Sequence, residues 1–132
     1  MREALFRGKR IADDKWTYGY LFKCWGRCYL LWGMNGDNPI KEEVYPETVG
    51  QFIGLTDKNG KKVFEGDIIK DKEVRQIYMI GYNEDLMKYA FLYYHKELKN
   101  IYCGGFVSKT DGKSIEVIGN IHDNPELLEA KE

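Results

Sequence analysis

The stretch Trp16-Thr17-Tyr18-Gly19-Tyr20-Leu21-Phe22-Lys23 decides the fold class, because a large ring recurs at every second position. Successive side chains of an extended chain point to opposite faces, so Trp16, Tyr18, Tyr20 and Phe22 share one face. That period predicts a half-buried strand with its rings turned to the core. Before it, Ala12-Asp13-Asp14-Lys15 reads as a polar turn, which makes a hairpin with a first strand at 5–11. After it comes a third apolar run at 28–32, ending in Gly33-Met34-Asn35-Gly36-Asp37-Asn38-Pro39. So dense a cluster of turn formers predicts an exposed loop.

The rest of the chain continues in short extended pieces. Residues 49–55 read as a strand, and Asp57-Lys58-Asn59-Gly60 supplies a tight turn from which 61–64 returns. Glu65-Gly66-Asp67 breaks the run again before Ile68-Ile69-Lys70, predicting two strands that meet at a sharp corner. Strands follow at 74–82 and 89–95, with a polar connection at 83–88 between them. Thr110-Asp111-Gly112-Lys113 reads as a second hairpin turn leading into a last strand at 114–121. Asn124-Pro125-Glu126 then has the cap, the proline and the early acid that start a helix, so 124–129 is read as one short C-terminal helix, with a fraying tail at 130–132.

Composition agrees with a sheet protein. The 132 residues make one domain of ordinary size, read as a single unit over 1–132 with one core. Ten Tyr, six Phe and three Trp give 14% aromatic residues, which suit pleated surfaces better than helices. The formal net charge of −1 excludes a whole-protein field that would draw the chain onto phosphate backbones. Three cysteines cannot all pair within the chain, so they read as reduced thiols in a cytoplasm. Residues 1–7 lack the apolar core of a secretory signal, and no apolar run approaches the ~20 residues that span a bilayer. The expectation is a soluble, cytoplasmic, unprocessed protein.

Three blocks carry a family likeness. They are Met1-Arg2-Glu3 with Phe6-Arg7, the long central run from Tyr45-Pro46-Glu47-Thr48 through Asn59-Gly60 to Glu65-Gly66-Asp67-Ile68-Ile69, and Ile115-Glu116-Val117-Ile118-Gly119-Asn120-Ile121-His122-Asp123-Asn124-Pro125-Glu126-Leu127-Leu128. Together they resemble the YopX family, small proteins encoded by phages and prophages of Gram-positive bacteria. Segments 24–44 and 71–113 lie outside the likeness. The resemblance implies a mainly β fold, either a small bent antiparallel sheet or a partly open SH3-like barrel, in a bacterial host cytoplasm with self-association. It brings no catalytic residues with it.

Candidate chemistry is sparse. Cys24, Cys28 and Cys103 with His95 or His122 offer zinc-ligand types, but on an extended chain Cys24 and Cys28 stand about 13 Å apart, too far to share one ion. A turn at Trp25-Gly26-Arg27 would be needed to bring them together. His122 and Asp123 beside Asp67 or Glu65 would make a general acid–base pair, although no spacing selects them, and free buried thiols and a polar strand end are the commoner roles. Lys58, Lys61 and Lys62 around Asn59, with abundant rings, are raw material for binding single-stranded nucleic acid, offset by Asp57, Glu65 and Asp67. No nucleophile elbow, phosphate loop or His-Glu-x-x-His pair is present. The reading is therefore a non-enzymatic binding or assembly module without metal or cofactor, with no catalytic, cofactor-binding or metal residue assigned. A nucleic-acid-binding module is the alternative and a small hydrolase a lesser one. Because Tyr89-Ala90-Phe91-Leu92-Tyr93-Tyr94 is apolar on both faces, its second face calls for cover from the chain or from another copy, and a homo-oligomer is expected.

Overall fold

A computed structural model describes residues 4–129, so Met1-Arg2-Glu3 and the tail at 130–132 lie outside the described residues. The chain is mainly β, as expected, with its strands in open antiparallel sheets among the described residues. It divides into two compact units, Met1–Phe52 and Ile53–Glu132, each with a buried apolar cluster.

The first unit holds β1 (Phe6–Lys9), β2 (Trp16–Cys24), β3 (Arg27–Asn35), β4 (Asn38–Val44) and the start of β5 (Gly50–Thr56). Their spatial order is β4-β3-β2-β1-β5. β1 meets β2 with Phe6 opposite Gly19 and Lys9 opposite Trp16, and β2 meets β3 with Leu21 opposite Leu30 and Phe22 opposite Tyr29. Cys28, Leu30 and Val44 form the buried cluster, with Phe6, Leu21 and Val49 packed on it. Leu21 and Gly19 therefore point inward and the rings of β2 point outward, the reverse of the expected burial. A period of two separates two faces without saying which is covered. Here the inner face is lined by small and aliphatic side chains, because β3 runs so close that a Cβ on Gly19 would strike the Leu31 carbonyl oxygen.

The expected loop at 33–39 is mostly strand. β3 runs to Asn35, turns at Gly36 (φ 64°) and Asp37, and returns as β4. β4 was hidden by its polar composition, Asn-Pro-Ile-Lys-Glu-Glu-Val, which suits an edge strand: proline is tolerated there and charges discourage pairing with other chains. Pro46–Thr48 form a 3₁₀ turn, and the buried Thr48 hydroxyl donates to the Tyr45 carbonyl (2.7 Å) while accepting the Lys9 N–H (2.9 Å).

In the second unit β5 continues and pairs with β6 (Lys62–Phe64) across the Asp57–Lys61 turn. Beyond the corner at Gly66 (φ 87°) follow β7 (Asp67–Asp71), β8 (Gln76–Asn83), β9 (Lys88–His95), β10 (Asn100–Phe106) and β11 (Ile115–Asn120), in the order β10-β9-β8-β7-β11. Asp67 is fully buried and its Oδ2 accepts the Phe64 N–H at 2.8 Å, which fixes the corner. Val63, Ile69, Ile80, Phe91 and Ile115 are the core.

Thr110-Asp111-Gly112-Lys113 is not a hairpin turn but part of a 3₁₀ turn, Lys109–Lys113, closed by a Ser108/Asp111 capping box. It carries the chain from β10 at one edge to β11 at the other, and β11 pairs with β7. β10 was missed because its Gly104-Gly105 pair bulges (Gly105 φ 146°) and its face is mostly exposed. The short C-terminal helix is present as a 3₁₀ segment, Pro125–Glu129, which packs on β8 and β9. All six residues of 89–94 are buried or half-buried, so that strand finds its cover within the chain.

Candidate functional site

Exposed rings collect on the outer face of the first unit. Tyr18, Tyr20 and Phe22 of β2 are about half exposed or more, Tyr20 reaching 66%. Beyond them the two-residue turn of β2–β3 places Trp25 at its tip, 97% exposed and at φ 50°. A positive φ is costly for so large a residue, and nothing in its own unit offsets that by covering the ring. Strand pairing puts Tyr29 beside Phe22 on this face, their centroids 6.3 Å apart.

Cations lie among the rings. The buried Arg7 guanidinium is 4.7 Å from the centroid of Trp16, with the Lys9 ammonium 5.5 Å from the same ring, and Lys41 of β4 sits 5.5 Å from the centroid of Tyr29. Such placements are electrostatically favourable, because the ring face is negative. Arg27 lies by Tyr29, and that hydrogen bond followed by the charge of Glu43 raises its pKa. Phe22, Cys24, Trp25, Arg27, Tyr29 and Lys41 together line an open cleft at the end of the hairpin. Its chemistry is that of a flat stacking surface with positive charge at hand: it can hold planar or apolar groups and anions, and it offers no acid–base pair.

Of the residues singled out in the sequence, the cysteines and His95 are scattered, whereas the backbone brings His122 to the Glu65–Asp67 corner: Asn120 pairs with Asp67 and the Ile121 N–H donates to the Gly66 carbonyl at 2.9 Å. The turn at Trp25-Gly26 exists, but Cys24 lies opposite Arg27 on the outer face while Cys28 is buried in the core, so the two thiols point to opposite faces and do not meet at one ion. Cys103 is exposed on β10, its Sγ 3.6 Å from the Gly105 carbonyl. Maleimide labelling of the native protein is therefore expected to modify Cys103 first and Cys28 only on unfolding; equal rates for the two would contradict this placement. His95 Nδ1 accepts the Leu98 N–H at 3.2 Å in an open cleft shared with Arg75 and Glu97. His122 is half-buried, its backbone N–H on Asn120 Oδ1 (3.0 Å), with Asp123 on the same acceptor. Among the described residues no group of three or more His, Cys, Asp or Glu side chains is placed to hold a metal ion.

The lysines of the Asn59 turn are partly engaged. Lys58 is 3.7 Å from Glu116, and Asn59 Nδ2 donates to the same carboxylate at 3.3 Å. Lys58 also crowds Lys72, lowering its pKa, and Lys70, Lys72, Arg75 and Glu116 line a cleft that has cations and no ring. Among the described residues no helix is long and apolar enough to cross a membrane.

Comparison with known proteins adds three findings. A family model described as YopX protein matches residues 6–129. The crystal structure of protein EF1440 from Enterococcus faecalis is similar in fold, with a TM-score of 0.53 and 21% identity over 97% of this chain and 99% of that one. No curated protein matches the chain.

Proposed function

The chain belongs to the YopX protein family, and on that premise we propose that it is a non-enzymatic binding module whose working surface is the outer face of β1–β4. The observation that carries the reading is the exposure of Tyr20, Phe22 and Trp25 on one face beside a cleft. Rings of this size are the usual anchors of binding surfaces, and an isolated chain gains nothing from leaving them in water. The family likeness supports a phage or prophage setting, and three unpaired thiols suit the reducing cytoplasm of a bacterial host. The occupant is then a phage or host molecule, or a second copy of the chain. Self-association rests on this face rather than on 89–94. A hydrolase has less support, since Asp67, the carboxylate of the corner beside His122, is fully buried and already accepts the Phe64 N–H.

The test is retention from bacterial lysate, with and without nuclease, on immobilised protein carrying either the native face or Phe22→Ala/Trp25→Ala. Material retained by the native face and lost with the variant is the expected result. Identical retention by both would remove this face from the function.

A further inference from the structure

We propose that the occupant of this face is a single-stranded nucleic acid, laid along β2 with bases on the rings and phosphates against the cations; the inference rests on the binding reading above. Trp16, Tyr18, Tyr20 and Phe22 follow one another at every second residue, so their rings stand about 6.6 Å apart over roughly 20 Å. An unstacked strand of nucleotides advances by a comparable step, which allows one base on each of the exposed rings Tyr18, Tyr20 and Phe22, about three nucleotides. Trp25 extends the row beyond the hairpin end, and Tyr29 widens it on β3.

Charge selects this occupant over a protein. Interface cores between proteins are depleted in lysine, whereas here Lys9 and Lys41 stand over rings of the same row. The cations flank the row along its length, with Lys9 opposite Trp16, Arg7 opposite Tyr18, Lys41 level with Tyr20 through Leu31, and Arg27 opposite Cys24 beyond Phe22. A chain with phosphates at regular intervals meets these cations in turn while its bases lie on the exposed rings. Glu43 is the opposing carboxylate at the Arg27 end, and it leaves a cationic excess. Duplex DNA fits poorly, because its bases are already stacked on one another and a ring row has no base face to meet. The Lys58, Lys70, Lys72 and Arg75 cluster of the second unit lacks rings and supports an anion site at most.

The experiment is fluorescence anisotropy of labelled oligothymidylate, oligouridylate and a mixed-sequence duplex against the full chain, with light scattering in parallel. Single strands are expected to bind at low salt, with affinity falling as salt rises, and the duplex to bind about tenfold more weakly or less. Trp25→Ala and Tyr20→Ala/Phe22→Ala should each weaken single-strand binding about tenfold or more, with thermal melts checking that the variants fold. Lys41→Gln should flatten the salt dependence while leaving the rings in place. The DNA and RNA arms tell which sugar is preferred. Binding that ignores the ring variants, or that is as tight to duplex, overturns the proposal. Absence of single-strand binding overturns it too; if light scattering then reveals self-association abolished by Trp25→Ala, the face still binds, and if Trp25→Ala changes neither readout, the binding reading falls with it.

Discussion

Replacing Asp57 by Ala is expected to lower the unfolding free energy by about 3 kcal/mol, the largest effect foreseen for a single polar side chain in this protein. Asp57 is 6% exposed and its carboxylate accepts three backbone N–H groups. Oδ1 takes those of Asn59 and Lys61, both at 2.9 Å, and so holds the β5–β6 turn closed. Oδ2 takes that of Val117, also at 2.9 Å, and so ties the turn to β11. Alanine would leave these donors without their acceptor. A hydrogen bond to a charged group is worth about 1.5–3 kcal/mol, and water reaching the exposed tip recovers part of the total.

The same carboxylate gives the loss a pH dependence. Burial alone would push its pKa up, but the N–H bonds from Val117, Lys61 and Asn59, with the charge of Lys61, hold it below the ordinary carboxylate value. A depressed folded-state pKa means that the unfolded chain binds the proton more readily, so the stabilisation is complete above the unfolded pKa of about 4 and is lost as pH falls through the folded one. Asp57→Asn keeps one acceptor and cannot titrate. Urea unfolding at pH 7, 5 and 3 should therefore show a gap between native protein and Asp57→Asn that narrows on acidification. A gap of constant size across that series would mean that ionised Asp57 is not what the turn relies on.

Asp57 also illustrates what the sequence makes legible. Asp-x-Asn-Gly announces a turn by local chemistry, since an Asp side chain bonds the backbone two residues on and glycine takes positive φ, as Gly60 does at 81°. Its tie to Val117 is sixty positions away and leaves no local trace. The same division runs through the fold. Strands β2, β8 and β9 were readable because branched or aromatic residues crowd them, alternating in β2 and nearly continuous in β9. β4 and β10 were not, because edge strands escape burial on one side and can be polar or glycine-rich. The 3₁₀ turn at Lys109–Lys113 looked like a hairpin because Asp-Gly serves both, and only the pairing of β11 with β7 separates them.

The candidate face was legible in part. Its rings were visible as a period of two, but their direction depends on which neighbours pack against the opposite side, and that is settled by Leu30 and Val44 rather than by β2 itself. The cations were invisible as a group. Arg7 and Lys9, Arg27, and Lys41 come from three different strands, and only the register of β1, β3 and β4 against β2 brings them to the rings. Lysines adjacent in sequence, such as Lys61 and Lys62, belong instead to the β5–β6 hairpin, in the second unit.

Gly19 is where the inner packing and the outer face depend on one residue, and Gly19→Ala is expected to cost about 2–3 kcal/mol. It is buried between the two most informative rings, Tyr18 and Tyr20, on the side away from them. A Cβ there would overlap the Leu31 carbonyl oxygen and approach its carbonyl carbon at 2.9 Å, and backbone of a paired strand has little room to give. Gly8 is the internal comparison: the three atoms nearest its Cβ would all belong to the Val44 side chain, at 3.0–3.2 Å, and a side chain can shift by a few tenths of an ångström, so Gly8→Ala should cost about half as much. The added methyl at 19 has to be met by parting β2 from β3, which tilts Tyr18 and Tyr20 without altering either. Gly19→Ala should therefore speed amide exchange at Leu21 and Leu30 and weaken whatever the outer face binds, although it changes no residue on that face. Should the variant melt with the native protein and protect those two amides equally well, the close approach of β3 would not be what turns the rings outward.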